Sequence, residues 1–226
     1  DPAAPRSVRV FDLALEKGEE ITSVALPPNG EWFLAAVKAG PQLAPGRALG
    51  YSLAHGKRLA SFPCGAGPDC ITISPSGTRA LVANEAEGFD LVADRLVSAA
   101  GSLTLIQIAG ELASSKVTQL VLELASSGPT DGRTLERNIG DGTKDMEHLN
   151  TPEYLEPEVV AFLPGETRAL VTLQEANLVA YFDLEAGKLE RYFWPGTTTH
   201  AADLAADERY DERDTLLARR EPDGLA

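Results

Sequence analysis

The chain repeats itself. The stretch Gly67-Pro68-Asp69-Cys70-Ile71-Thr72-Ile73-Ser74-Pro75-Ser76-Gly77-Thr78-Arg79-Ala80-Leu81-Val82-Ala83-Asn84 returns as residues 156–172 at a constant offset of 89, which sets Asp69 against Glu158, Pro75 against Pro164 and Arg79 against Arg168. A weaker copy runs from Ile21 to Val37, and Glu221-Pro222-Asp223 begins another. Each copy is an alternating apolar segment, a tight turn of Pro, Ser, Asn or Gly, and a second apolar segment, which predicts an antiparallel hairpin. Recurrence of one hairpin at a spacing of tens of residues restricts the chain to architectures built from similar stacked units.

Two further strand-like segments follow the hairpins. The predicted strands are 21–26, 32–37, 47–53 and 58–62, then 70–74, 79–85, 102–108 and 117–124, then 159–163, 168–174, 178–184 and 188–194. Groups of four short strands describe an all-β fold, a β-propeller of four-stranded antiparallel blades. The expected blade units are 20–63, 67–124 and 157–194, with the next starting at 221 and irregular excursions at 86–100, 125–155 and 196–220. The alternating run 7–13 reads as the last strand of a further unit, and the charged run 197–220 as a helical turn or solvated loop. Propellers close with about four to eight blades, so an array of about three is expected to be incomplete and to belong with the remaining blades of a longer protein.

Composition narrows the function. A formal net charge of −14 over 226 residues argues against a nucleic-acid partner, whose phosphates are bound by Lys and Arg, and favours attraction of cations. Among the 226 residues there is no run of eighteen apolar ones, so no membrane span is expected. Cys64 and Cys70 are the only cysteines; their spacing suits either a small disulfide loop or two buried thiols.

Several motifs resemble a known family. Pro68-Asp69, Val82-Ala83-Asn84-Glu85, Glu156-Pro157-Glu158, Val171-Thr172-Leu173-Gln174-Glu175 and Glu221-Pro222-Asp223 are similar to the blade motifs of YVTN-type (WD40-like) propellers, and more narrowly of the choice-of-anchor I family of secreted bacterial proteins. The resemblance covers roughly Ile21 to the end of the chain. It implies an extracellular or cell-surface propeller of about seven blades, within the usual range. Such proteins are often joined to other domains or to an anchor, and are sometimes likened to phosphatases and phytases.

The repeat also nominates a site. In a propeller the first strand of each blade lines the central channel, so Asp69, Glu158 and Asp223, each directly after proline, would converge on one axis. Carboxylates brought together repel unless one is protonated or a cation such as Ca2+, which takes six to eight oxygens, lies among them. Alternatively each ties its blade to the next by accepting backbone N–H bonds. Glu85 joins this set as a further candidate ligand, within the acidic group Glu85, Glu87, Asp90 and Asp94 that opens the insertion 86–100.

Catalytic signatures are missing. His55, His148 and His200 lack zinc spacing, no Gly-x-Ser-x-Gly elbow occurs, and Gly65-Ala66-Gly67-Pro68 leads into a strand rather than a phosphate-binding helix. The aromatic residues Trp32, Tyr181, Phe182, Phe193 and Trp194 are expected in the core between blades. The leading expectation is a non-enzymatic surface module that binds a protein or glycan partner or serves in assembly. The alternative is a calcium-dependent phosphoesterase of the phytase-like or alkaline-phosphatase-like kind, although no Arg or Lys adjoins Asp69 or Glu158 in sequence to hold a phosphate.

Overall fold

The computed structural model describes residues 9–41, 43–87, 90–92, 95–97, 99–122, 155–174, 176–193, 195, 197–202, 214–219 and 224–225. The first sheet is a meander of β1 (Glu20–Ala25), β2 (Trp32–Lys38), β3 (Pro45–Ser52) and β4 (Arg58–Ala66). The second begins with β5 (Pro68–Ile73) and β6 (Arg79–Asn84). A small hairpin, β7 (Asp90–Val92) with β8 (Arg95–Val97), interrupts it before β9 (Ser102–Gln107) and β10 (Lys116–Val121) complete the meander. The third sheet is β11 (Pro157–Phe162), β12 (Arg168–Leu173), β13 (Leu178–Asp183) and β14 (Lys188–Phe193), and a separate pair follows, β15 (Thr197–Ala202) with β16 (Asp214–Arg219). All these pairings are antiparallel.

The sheets stack face to face, and period-two alternation decides which residues meet. Leu34, Ala36, Phe62 and Cys64 of the first sheet pack on Ile71, Val82 and Ile106 of the second. The other face of the second sheet, with Leu81, Leu103 and Leu105, packs on Val160, Val171 and Phe182 of the third. Phe182 and Leu34 are fully buried, each stabilising by roughly 1.5–3 kcal/mol. The first strands lie side by side along one edge, with β5 packed against both β1 and β11. These are three blades of a β-propeller, with their first strands on the shared inner edge.

Close approach of the first two blade pairs depends on a glycine at the start of the third strand, Gly46 in the first blade and Gly101 in the second. A Cβ on Gly46 would collide with the ring of Pro68, which opens β5; one on Gly101 would collide with the Leu155 carbonyl and with Pro157, which opens β11. In the third blade the equivalent residue is the buried Asn177, held at a φ of 50°.

Three expectations are corrected. Residues 9–16 form no strand: Phe11 and Leu13 lie on the outer face of the first sheet, where Phe11 meets Phe33 edge-on at 5.1 Å and the Tyr51 hydroxyl donates to the Leu13 carbonyl at 2.8 Å. The run 197–220 is not one loop or helical turn, because Thr197-Thr198-Thr199 and Thr215-Leu216-Leu217 favour a ladder over the charges between them. Within 86–100, Leu91-Val92 and Leu96-Val97 likewise pair as a hairpin. The thiols of Cys64 and Cys70 are free: Cys64, on β4 of the first blade, packs between the first and second blades, and Cys70, on β5, packs between the second and third. Burial pushes the Cys64 thiol up to about 12.

Candidate functional site

One irregularity occurs at the same place in all three blades. The register between first and second strands shifts after Ile21, after Pro68 and after Pro157. Thr22 and Asp69 are the residues at which the first two registers step, and Glu158 lies inside the third shift, where the Val159 N–H donates to the Thr172 hydroxyl at 2.9 Å. A β-bulge re-aims the side chain it carries. The equivalent positions Thr22, Asp69 and Glu158 are therefore the bulged residues on the inner edge of their blades.

The neutral one closes the first seam. The Thr22 hydroxyl donates to the Pro68 carbonyl at 2.7 Å, and the neighbouring Ser23 hydroxyl accepts from the Ile71 N–H at 3.2 Å. An ionised carboxylate has no proton to donate, so the acidic bulges must work differently.

Glu85 is the group they meet. It directly follows β6, where its N–H donates to the Gly67 carbonyl at 2.8 Å and the Ala86 N–H donates to the Ala66 carbonyl at 3.2 Å. Gly67 is needed there: its φ is 56°, and a Cβ would come 3.0 Å from the Ala86 nitrogen. This anchoring aims the half-buried Glu85 side chain across the seam, where it shares a hydrogen bond with Glu158. Burial first, then that bond and the charges of Glu158, Glu87 and Asp69, push the Glu85 carboxyl up to about 8. The raised Glu85 carboxyl is thereby suited to donate to the Glu158 carboxylate across the seam between the second and third blades. Burial chiefly, with Asp69 and Glu158 adding to it, also raises the Cys70 thiol.

The family model for the choice-of-anchor I domain matches residues 1–225. The chain belongs to the choice-of-anchor I family. No curated protein matches it significantly. Similar solved structures include Kuenenia stuttgartiensis hydrazine synthase, 12% identical with a TM-score of 0.49, the match covering 72% of this chain and 39% of that one. The β-propeller domain of Myceliophteria thermophila Cps50 (Swd1) is 13% identical with a TM-score of 0.48, covering 87% and 57%. A functionally unknown protein from Desulfotomaculum acetoxidans DSM 771 is 14% identical with a TM-score of 0.47, covering 80% and 45%. The choice-of-anchor I chain thus spans less than two thirds of each of these.

Of the four candidates drawn from the repeat, the structure brings Asp69, Glu85 and Glu158 to one seam of this choice-of-anchor I chain; Asp223 lies outside the described residues. Among the described residues no set of three or more His, Cys, Asp or Glu is placed to hold a metal ion. The opposite end of the same seam carries a contact that the repeat alone does not display. Glu166 accepts from the Ser76 N–H at 2.6 Å and from the Ser76 hydroxyl, while Arg79 donates to the Glu166 carbonyl at 2.7 Å. These donors hold the Glu166 carboxyl below the ordinary carboxylate value, the Ser76 hydroxyl foremost. The available signal is that Glu166 occupies the position of Gly77 and Gly30, left-handed in all three blades.

The aromatic residues divide. Phe182 is core, whereas Phe193 is 48% exposed and Tyr181 is half-buried with Arg191 4.5 Å above its ring. Trp32 is half-buried, and Trp194 lies outside the described residues.

Proposed function

We propose that this chain is part of an extracellular or cell-surface propeller that binds or assembles rather than catalyses, and that its acidic inner-edge residues tie blades together. The carrying observation is the hydrogen-bonded contact of the half-buried Glu85 carboxyl with Glu158 across the seam between the second and third blades. Burial raises the Glu85 carboxyl most, and the charges that add to it, those of Glu158, Glu87 and Asp69, are all carboxylates. An anionic phosphate ester meets repulsion there. The guanidinium of Arg79, which would offset that repulsion, is engaged with Glu166 and with Glu185 at 3.8 Å, at the far end of the hairpin. Membership in the choice-of-anchor I family supports the surface setting. No helix among the described residues is long and apolar enough to cross a membrane.

Concentrated negative charge also favours a second reading, in which Asp69, Glu158 and Asp223 hold Ca2+ in place of the proton. Thermal unfolding with and without Ca2+ separates the two, because a ligand bound only by the native state raises its melting temperature. The tie predicts no calcium effect at neutral pH, in the wild type or in Glu158→Gln. A calcium-induced rise that disappears in Glu158→Gln establishes the metal reading instead.

A further inference from the structure

A cleft of about 700 Å3 opens between the first and second blades at their turn ends, opposite the carboxylate end of the hairpins. Its volume lies within the range of about 300–1,000 Å3 in which proteins take ligands. Three connections build it: the turn between β1 and β2, the turn between β5 and β6, and the link from β9 to β10. All three are fixed by their own hydrogen bonds. The Gly30 N–H donates to the Pro27 carbonyl at 3.0 Å, the Gly77 N–H to the Ser74 carbonyl at 2.8 Å, and the Ala109 N–H to the Ser115 hydroxyl at 3.1 Å. Leu112 is pinned into the first blade against Gly50, a position where any Cβ would strike it.

The lining has a definite chemistry. Trp32 and Ile108 are partly buried against the core between the blades, and Leu59 is 39% exposed. Glu31 and Glu111 are exposed at the same cleft, and no Lys, Arg or His lines it. The Glu31 carboxylate accepts one amide bond, from Asn29 at 3.1 Å, which leaves acceptor sites over. At Gly110 the backbone is bare: a Cβ built there meets nothing within 4 Å, and its φ lies outside the left-handed region.

We propose that this cleft is a binding site for a cationic peptide segment, an Arg or Lys flanked by apolar residues. The apolar residues lie on Leu59 and Ile108, the stem of the basic side chain lies against Trp32, and its charge meets Glu31 and Glu111. The bare backbone at Gly110 lets an extended chain approach closely. Charge selects the class of ligand, since two carboxylates with no lining cation repel an acidic segment. Aliphatic and proline surface around a half-buried indole favours a peptide over a sugar, which stacks on an open aromatic face. The site does not depend on the proton tie.

The test uses the full chain and the Trp32 indole N–H resonance, assigned against Trp32→Phe because Trp194 gives the only other indole signal. Three probes are titrated: Ac-Leu-Arg-Leu-NH2, Ac-Leu-Glu-Leu-NH2 and maltotriose. The arginine peptide is expected to shift the Trp32 signal saturably and to bind at least about tenfold more tightly than the glutamate peptide. Glu31→Gln with Glu111→Gln should weaken it about tenfold. Gly110→Tyr should abolish it with an unchanged melting temperature, because the added side chain enters open space. No saturable shift with the arginine peptide, equal binding of the glutamate peptide, stronger binding of maltotriose, or full retention in Gly110→Tyr would each overturn the proposal.

Discussion

The seam between the second and third blades is closed by a glutamate at each end, and the two glutamates behave oppositely. Glu85, half-buried and facing carboxylates, holds its proton up to about 8. Glu166, partly buried and facing the Ser76 N–H and hydroxyl with Arg79 close by, is held below the ordinary value. Residue type is the same; what differs is burial first, and then whether carboxylates or donors surround the carboxyl. One end of the seam is tied by a proton and the other by a charge, so pH acts on them with opposite sign.

The largest effect is expected at Glu85. Its folded value lies above the ordinary 4.5, so the native state binds more protons than the unfolded chain between about 4.5 and 8. Its contribution is fully present below that window and lost as pH rises through it. The loss is on the order of 2 to 3 kcal/mol once partial exposure is discounted. Glu85→Gln keeps an amide donor for Glu158, and should flatten this alkaline limb in denaturant unfolding measured from pH 5 to 9. An unchanged limb would mean that another group carries it.

A smaller, pH-independent loss is expected at the first seam, where a hydroxyl replaces the acid. Thr22→Val removes the bond to the Pro68 carbonyl and should cost about 1 to 2 kcal/mol at every pH. A pH-dependent cost there would break the contrast between neutral and acidic bulges.

Glu166→Gln should have the smallest effect at neutral pH. A lowered carboxyl contributes stability above its ordinary value of 4.5 and loses it as pH falls through the folded value, so the variant should lack part of the acid limb. Salt should weaken the wild-type contact, because Glu166 is only partly buried, and leave the variant unaffected. Equal salt dependence in both proteins would remove the clamp from the description.

Much of this was legible in the sequence, and the particular residues show where legibility stops. The offset of 89 equates Asp69 with Glu158 because the blades are copies, and both prove to be bulged residues on the inner edge. The partner of Glu158 was less visible: Glu85 reads as the start of an acidic loop until the Gly67 and Ala66 carbonyls fix its backbone beside the next blade. β15 and β16 were hidden by the many charges in 197–220, since the pairing of Thr197 with Arg219 is non-local. The spacing of Cys64 and Cys70 allowed a bridge, but the chain passes from the first blade to the second at Gly67, which leaves Cys64 packed between the first and second blades and Cys70 between the second and third. Only Glu166, in a place where the other copies carry Gly77 and Gly30, left a trace of the clamp in the repeat itself.

The shared proton is the claim on which the seam, and the non-catalytic reading of it, most depend. Carbon-13 NMR of the side-chain carboxyl of Glu85, assigned with Glu85→Gln and followed from pH 3 to 10, reads it directly. A midpoint near 8 that drops toward the ordinary carboxylate value in Glu158→Ala is the expected result. A Glu85 midpoint near 4.5 in the wild type would contradict it.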